Sequence, residues 1–231
     1  MKYMGSKRRI AKDILRIVLK DRQENQLFVE PFVGGCNITS LVTGPRLAAD
    51  CDPDLICMWK AASSGWMPPK TFTEDQYNEI KNSQESPLKG YAAFALSYGG
   101  KKFGGWCRDS AGVRDYVDES YRNAQKQFKK IIGVDFVCCD YKTLNIPTGS
   151  IVYCDPPYKS TTGYNGNFDH IEFWDWCRVI SINSSVFVSE YEAPDDFECV
   201  WSKSVSSSLT KNTGSKSGVE RLFVQSEGMR R

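Results

Sequence analysis

The chain has 231 residues, 41% of them apolar and 25% charged: an ordinary globular composition, long enough for one α/β domain with a substantial insertion, and without the roughly 18 to 20 residue apolar run that spans a bilayer. Its formal net charge of +2 excludes nucleic-acid binding by a whole-molecule field, so any such contact must come from local clusters of lysine and arginine. Nine cysteines without a recognisable secretory leader point to reduced thiols in a soluble, cytoplasmic protein, and a lone histidine (His170) with no C-x-x-C pair excludes the common metal arrangements.

The opening Lys2-Tyr-Met-Gly-Ser-Lys-Arg-Arg-Ile10 leads into Ile10, Ile14, Leu15, Ile17, Val18 and Leu19, whose spacing predicts an amphipathic helix with Ser6 as N-cap. Lys7, Arg8 and Arg9 then fall in the first turn, where the helix dipole disfavours cations. They mark either a bound anion or a solvated basic face. Residues 27–30 read as a short strand, followed by Pro31-Phe-Val-Gly-Gly-Cys-Asn37 and a helical stretch from about 37 to 43. A strand, the Gly34-Gly35 pair and a helix start let backbone approach a ligand closely, with N–H groups turned to its charged end. Residues 46–49 predict a second strand with Asp50 at its tip, the place of a ribose-hydroxyl acceptor in nucleoside-binding α/β folds. Asp50, Asp52 and Asp54 alternate like a calcium loop, but the required glycine and distal glutamate are missing.

From about Trp59 glycines, prolines and serines punctuate short helical pieces, at about 76–81, 88–98 and 116–132. The interval 61–133 interrupts an α/β alternation and reads as an inserted helical subdomain, flanked by a catalytic domain of 1–60 and 134–231. Within it lies Ser97-Tyr-Gly-Gly-Lys-Lys-Phe-Gly-Gly-Trp-Cys-Arg108, whose glycines, cations and aromatics suit a loop that meets phosphates and stacks on bases. Glycine turns with aromatic plugs also occur for purely structural reasons.

Residues 135–139 predict a strand ending at Asp140-Tyr141, with Cys138-Cys139 read as core. Ile151-Val-Tyr-Cys154 is a buried strand that two consecutive prolines must stop, so Asp155-Pro-Pro-Tyr158 fixes an acid and a ring at a strand tip. A polar stretch, Lys159 to Asn167, follows. The remaining pattern predicts a helix at 169–180, strands at 185–189, 197–201 and 219–224, and a serine-, lysine- and glycine-rich linker at 203–217. Three acids thus stand at strand tips, which a doubly wound sheet gathers at one ligand-binding edge.

In their order, Lys2-Tyr-Met-Gly-Ser-Lys7, Phe32-Val-Gly-Gly35 and Asp155-Pro-Pro-Tyr158, with an insertion before the last, resemble the Dam-type (D12 class, alpha group) DNA adenine-N6 methyltransferases. The resemblance covers essentially the whole chain. It implies a Rossmann-like α/β fold with an inserted small helical target-recognition domain, S-adenosylmethionine as cofactor and double-stranded DNA as substrate, in a monomer or weak dimer without metal or membrane. By the same resemblance Tyr3, Gly5, Lys7, Phe32, Gly34 and Gly35 hold the cofactor, Asp50 its ribose, Asp140 and Tyr141 its adenine surroundings, and Asp155 the border with the target base. Cys36, where many members have a spaced glycine, is a variant seen in some phage enzymes, and the Gly-Gly-Lys-Lys-Phe-Gly-Gly-Trp loop departs from the hairpin expected of a GATC reader.

The implied chemistry suits the residues. An adenine amine inside a duplex is out of reach until its nucleotide is flipped out. Asp155 and the Pro156 carbonyl then accept N6 hydrogens, the rigid Pro156-Pro157 pair holds them, and Tyr158 stacks on the base. Lys101, Lys102 and Arg108 are the expected DNA contacts of the insertion, and Lys159, Tyr164 and Asn165 those beside the flipped base. Two alternatives stay open: a cytosine-N4 methyltransferase, distinguished by the methylated nucleoside, and a catalytically silent DNA-binding protein of the same fold, distinguished by absence of methyl transfer.

Overall fold

Strands form where short runs of β-branched and aromatic residues occur, and helices begin where a side-chain oxygen stands ready to take the first free N–H groups. The computed structural model describes residues 1–109, 111–159, 168–206 and 217–226. In chain order the elements are α1 (Ala11–Val18), β1 (Phe28–Glu30), β2 (Arg46–Asp50), α2 (Pro53–Ser63), α3 (Glu74–Ile80), α4 (Pro87–Ala95), α5 (Tyr116–Phe128), β3 (Asp135–Cys138), β4 (Ile151–Cys154), α6 (His170–Ser181), β5 (Ser185–Glu190), β6 (Phe197–Ser206) and β7 (Ser217–Gln225). The strands are hydrogen-bonded in the order β3-β2-β1-β4-β5-β7-β6. This is the α/β, doubly wound arrangement expected from the sequence, with an antiparallel pair at one end. Strand order reverses between β1 and β4.

By contacts the chain divides into two compact units, Met1–Lys12 with Glu30–Leu144, and Asp13–Val29 with Asn145–Arg231. In the first, β2 and β3 pair in parallel, Leu47 to Asp50 against Asp135 to Cys138. Its core gathers Trp59, Tyr91, Phe128 and Phe136 with the apolar faces of α2 and α4. Gly90 makes that helix packing close: a Cβ there would lie 2.1 Å from the Asp54 carbonyl oxygen of α2. In the second unit β1, β4 and β5 are parallel, while β7 runs antiparallel to both β5 and β6.

Five helices share one starting device. Asp52, Thr73, Ser86, Asp115 and Asp169 each accept backbone N–H groups of the first turn of α2 to α6, and Pro53 and Pro87 fix the opening turn of α2 and α4.

Several sequence expectations change. Ser6 does cap, accepting the Arg8 N–H at 3.3 Å, but Lys7–Arg9 form a 3-10 turn and the α-helix begins at Ala11. The helix expected at 37–43 is the single turn Thr39–Leu41, because the buried Glu30 carboxylate accepts both the Thr39 N–H (2.9 Å) and its hydroxyl and ties the segment to β1. Helix α2 was not expected, although Asp52-Pro53 carries its N-terminal signature. Cys138-Cys139 is not core: β3 ends the strand order and buries only Phe136, leaving Cys138 exposed and Cys139 half-buried. Of the linker expected at 203–217, residues 203–206 belong to β6, with Lys203 paired to Glu220, and Ser217 belongs to β7; residues 207–216 lie outside the described residues. No described helix is long and apolar enough to cross a membrane.

Candidate functional site

In the first unit the glycine turn after β1 is held from every side. The Gly34 N–H donates to Asp50 Oδ2 at 3.0 Å, and the Asp52 N–H donates to Asp50 Oδ1 at 3.1 Å, so the acid at the tip of β2 bridges the turn and the start of α2. From beneath, Trp59 Nε1 donates to the Gly34 carbonyl and Gln127 Nε2 to the carbonyls of Gly35 and Cys36, each at 2.9 Å. Trp59 and Gln127 were missed in the sequence, which carries no local signal for them: they lie on helices distant in chain order.

Both glycines are required here. A Cβ on Gly34 would meet the Tyr3 ring at 2.7 Å, and one on Gly35 would meet Tyr3 Cβ at 2.6 Å; Gly34 also has φ +42°. The close approach that the sequence assigned to a ligand is thus partly taken by Tyr3, whose own segment packs on the turn. Asn37 Nδ2 donates to Ser6 Oγ at 2.9 Å, Lys7 is buried, and Gly5 adopts φ +76°. Cys36, at φ +53°, occupies a conformation that favours glycine.

Asp50 is half-buried, and burial pushes its carboxyl up to about 6, against the lowering effect of the backbone N–H groups of Asp52, Gly34 and Cys51. With about four acceptor sites on a carboxylate, its oxygens keep a lone pair beyond those contacts, as a ribose-hydroxyl acceptor requires. Phe32 and Tyr141 are neighbours, ring centroids 5.2 Å apart, while Asp140 is exposed and accepts the Lys142 N–H at 2.9 Å to start the turn Tyr141–Thr143. The structure therefore brings Tyr3, Gly34, Gly35 and Asp50 into one cluster, with Phe32 and Tyr141 as a second pair. The donor set suits a nucleoside: a strand-tip carboxylate, aromatic faces and a glycine turn.

The loop 97–108 belongs to the same unit. Its aromatics separate: Phe103 and Trp106 both pack on Tyr77, centroids 5.5 Å away, whereas Tyr98 is 67% exposed. Its cations separate too. Lys101 is exposed; Arg108 pairs with Glu74, Nε to Oε2 at 3.1 Å; and Lys102 reaches the carboxylates of Asp52 and Asp54.

In the second unit β4 is wholly buried, in register with β5 from Ile151↔Ser185 to Cys154↔Val188. Asp155 at its end is half-buried, Pro156 buried, Pro157 half-buried and Tyr158 buried. The Tyr158 hydroxyl donates to Glu220 at 2.8 Å, and its ring meets Tyr191 edge-on at 4.7 Å. Burial first, then the Asp155 and Glu220 carboxylates, hold the Tyr158 phenol well above its ordinary value, so it stays a donor. Tyr191 and Glu220 were also missed; Tyr191 directly follows β5 and Glu220 lies in β7, both well after the motif in sequence. Lys159 is exposed. Tyr164 and Asn165 lie outside the described residues. Among the described residues no group of three or more His, Cys, Asp or Glu is placed to hold a metal ion.

A family model described as D12 class N6 adenine-specific DNA methyltransferase matches residues 3–123, just over half of the chain. Those residues include the glycine turn, Asp50 and the loop 97–108, and end before Asp155. Among solved structures, an rRNA methyltransferase, aviRa, from Streptomyces viridochromogenes is similar over 97% of this chain and 86% of its own, with a TM-score of 0.49 and 9% identity. Comparison with curated proteins finds no match.

Proposed function

The chain belongs to the D12 class N6 adenine-specific DNA methyltransferase family, and from that premise we propose that it methylates N6 of an adenine flipped out of double-stranded DNA, with S-adenosylmethionine as methyl donor. The carrying observation is Asp50: an acid at a strand tip, hydrogen-bonded to the N–H of a glycine turn and bearing an unused lone pair. We assign the cofactor's ribose to Asp50 and the rest of its binding to Tyr3, Gly5, Lys7, Phe32, Gly34, Gly35, Asp140 and Tyr141. S-adenosylmethionine supplies an electrophilic methyl group on a sulfonium.

Asp155, Pro156, Pro157 and Tyr158 take the base. Their assignment rests on their own chemistry, since the family match ends earlier. The Asp155 carboxylate and the Pro156 carbonyl each accept one N6 hydrogen, which orients the amine and leaves its nitrogen lone pair for the incoming methyl group. The prolines keep those acceptors from rotating away, so positioning supplies most of the acceleration. Tyr158 stacks on the base, with its hydroxyl anchored on Glu220, and recovers part of the few kcal/mol lost on unstacking. By the family resemblance Asp155 is also assigned to the cofactor.

Residues 61–133 form the target-recognition part and 1–60 with 134–231 the catalytic part. Lys101, Arg108, Lys159, Tyr164 and Asn165 contact DNA. Arg108 exchanges its exposed pair with Glu74, of a kind worth about 1 kcal/mol or less, for a phosphate or base edge. Lys102, expected beside them, is held by two carboxylates.

The decisive experiment supplies labelled S-adenosylmethionine and mixed-sequence duplex DNA, then digests the DNA to nucleosides. N6-methyladenine is expected; N4-methylcytosine alone, or no transfer, sinks the reading. Asp155→Ala should lower turnover by roughly a hundredfold or more without loss of fold.

A further inference from the structure

The loop 97–106 is not a free arm. A backbone bridge joins Ser97 to Trp106, the Phe103 N–H donates to the Ala93 carbonyl at 2.8 Å, and Phe103 and Trp106 anchor on Tyr77. Gly100 lies against the start of the chain: its carbonyl accepts the Met4 N–H at 3.3 Å, and a Cβ on it would stand 2.6 Å from the Tyr3 nitrogen. With its backbone fixed this way, the loop presents Lys102 to α2. Lys102 Nζ is 2.9 and 2.8 Å from the two Asp52 carboxylate oxygens and 2.9 Å from Asp54 Oδ2, while Lys89 Nζ meets Asp54 Oδ1 at 3.7 Å.

Asp52 is the hinge of this contact. Its side chain caps α2 through the Leu55 N–H at 3.1 Å, and its own N–H is one of those that hold Asp50. The carboxylates of 50, 52 and 54 repel one another, and Lys102 is the cation that touches two of them. We propose that Lys102 is a positioning residue of the cofactor site, acting inward through Asp52 on the ribose acceptor Asp50, and not a phosphate contact.

This rests on the assignment of Asp50 to the cofactor. The loss of Lys102 leaves Asp52 charged and unbalanced beside Asp50, which both displaces the Asp52 N–H and disfavours a charged acceptor at position 50. DNA binding keeps its full number of phosphate contacts.

The test uses the full chain with S-adenosylhomocysteine as the titrated probe, and steady-state kinetics with cofactor and DNA varied separately. Lys102→Gln should weaken probe binding and raise the cofactor KM about five- to tenfold, with kcat at saturation within about twofold, and with the salt dependence of DNA binding unchanged. Lys102→Arg should restore most of the affinity. The double variant Lys102→Gln with Asp52→Asn, which removes both charges and keeps a capping side chain, should recover affinity relative to Lys102→Gln alone, and it carries the comparison if the single variant folds poorly. Unchanged probe affinity in Lys102→Gln, or a DNA salt slope reduced by about one with cofactor KM intact, overturns the proposal. If the wild-type chain itself binds no probe, the assignment of Asp50 to the cofactor fails first and takes this inference with it.

Discussion

At the scale of single residues, Asp50 and the glycine turn carry the sharpest expectations. A carboxyl raised to about 6 in the fold, against the ordinary 3.8, holds its proton more tightly folded than unfolded. Its contribution to stability is therefore fully present below about pH 4 and is lost as pH rises through about 6, a change on the order of 2 to 3 kcal/mol. If Asp50 holds the cofactor's ribose as proposed, the hydroxyls donate to the ionised form and cofactor binding runs the other way. Affinity for S-adenosylhomocysteine should rise roughly tenfold from pH 5 to pH 7 and then level off, and Asp50→Asn should flatten that profile in calorimetric titrations. Gly34 offers a second test. With φ at +42° and the Tyr3 ring in the way of any Cβ, Gly34→Ala costs about 1 kcal/mol in backbone conformation and more in displacing Tyr3. Cofactor affinity should fall by roughly tenfold or more, and an unaltered value would separate the turn from the cofactor.

At the scale of elements, the contact between α2 and α4 supports the cradle, because α2 carries Asp52 at its start and Trp59 against the glycine turn. Gly90 permits that contact. Gly90→Ala puts a methyl group 2.1 Å from a backbone oxygen, where no side chain can rotate aside, so helix separation must follow. A loss of about 2 to 4 kcal/mol in denaturant unfolding is expected, well outside the favourable effect of glycine to alanine in an unobstructed helix. The same reasoning explains why α2 was hard to see beforehand. Its apolar residues, among them Leu55, Ile56, Met58, Trp59 and Ala62, surround most of the helix instead of forming a stripe, since the helix packs against both the strands and α4.

For the whole molecule a net charge of +2 leaves DNA affinity to a few local cations. Lys101 and Lys102 are both exposed, but Lys102 is ion-paired with Asp52 and Asp54, so Lys101→Gln should lower the slope of log affinity against log salt by about one and weaken binding equally across sequences. An unchanged slope would take Lys101 out of the interface. The α/β alternation, the positions of most strands and the acids at strand tips were legible in the sequence, because alternation of apolar runs with glycine, proline and aspartate records local backbone requirements directly, whereas the order β3-β2-β1-β4-β5-β7-β6 depends on pairing between segments distant in the chain. Asp155-Pro-Pro-Tyr158 and Gly34-Gly35 were legible for the same reason: each is a rigid or permissive backbone unit whose residue types admit few other uses. What the three cations and three aromatics of the loop 97–108 do was not legible. Composition counts them alike, whereas the packing of Phe103 and Trp106 on Tyr77 and the pairing of Lys102 with Asp52 and Asp54 depend on neighbours distant in chain order. Gln127 beneath the glycine turn and Glu220 on the Tyr158 hydroxyl arise the same way. The chain's own sequence determined which backbone could form the glycine turn and the Asp155-Pro-Pro-Tyr158 turn, because those are local requirements; tertiary packing alone decided which polar side chains hold them, because those come from segments distant in the chain.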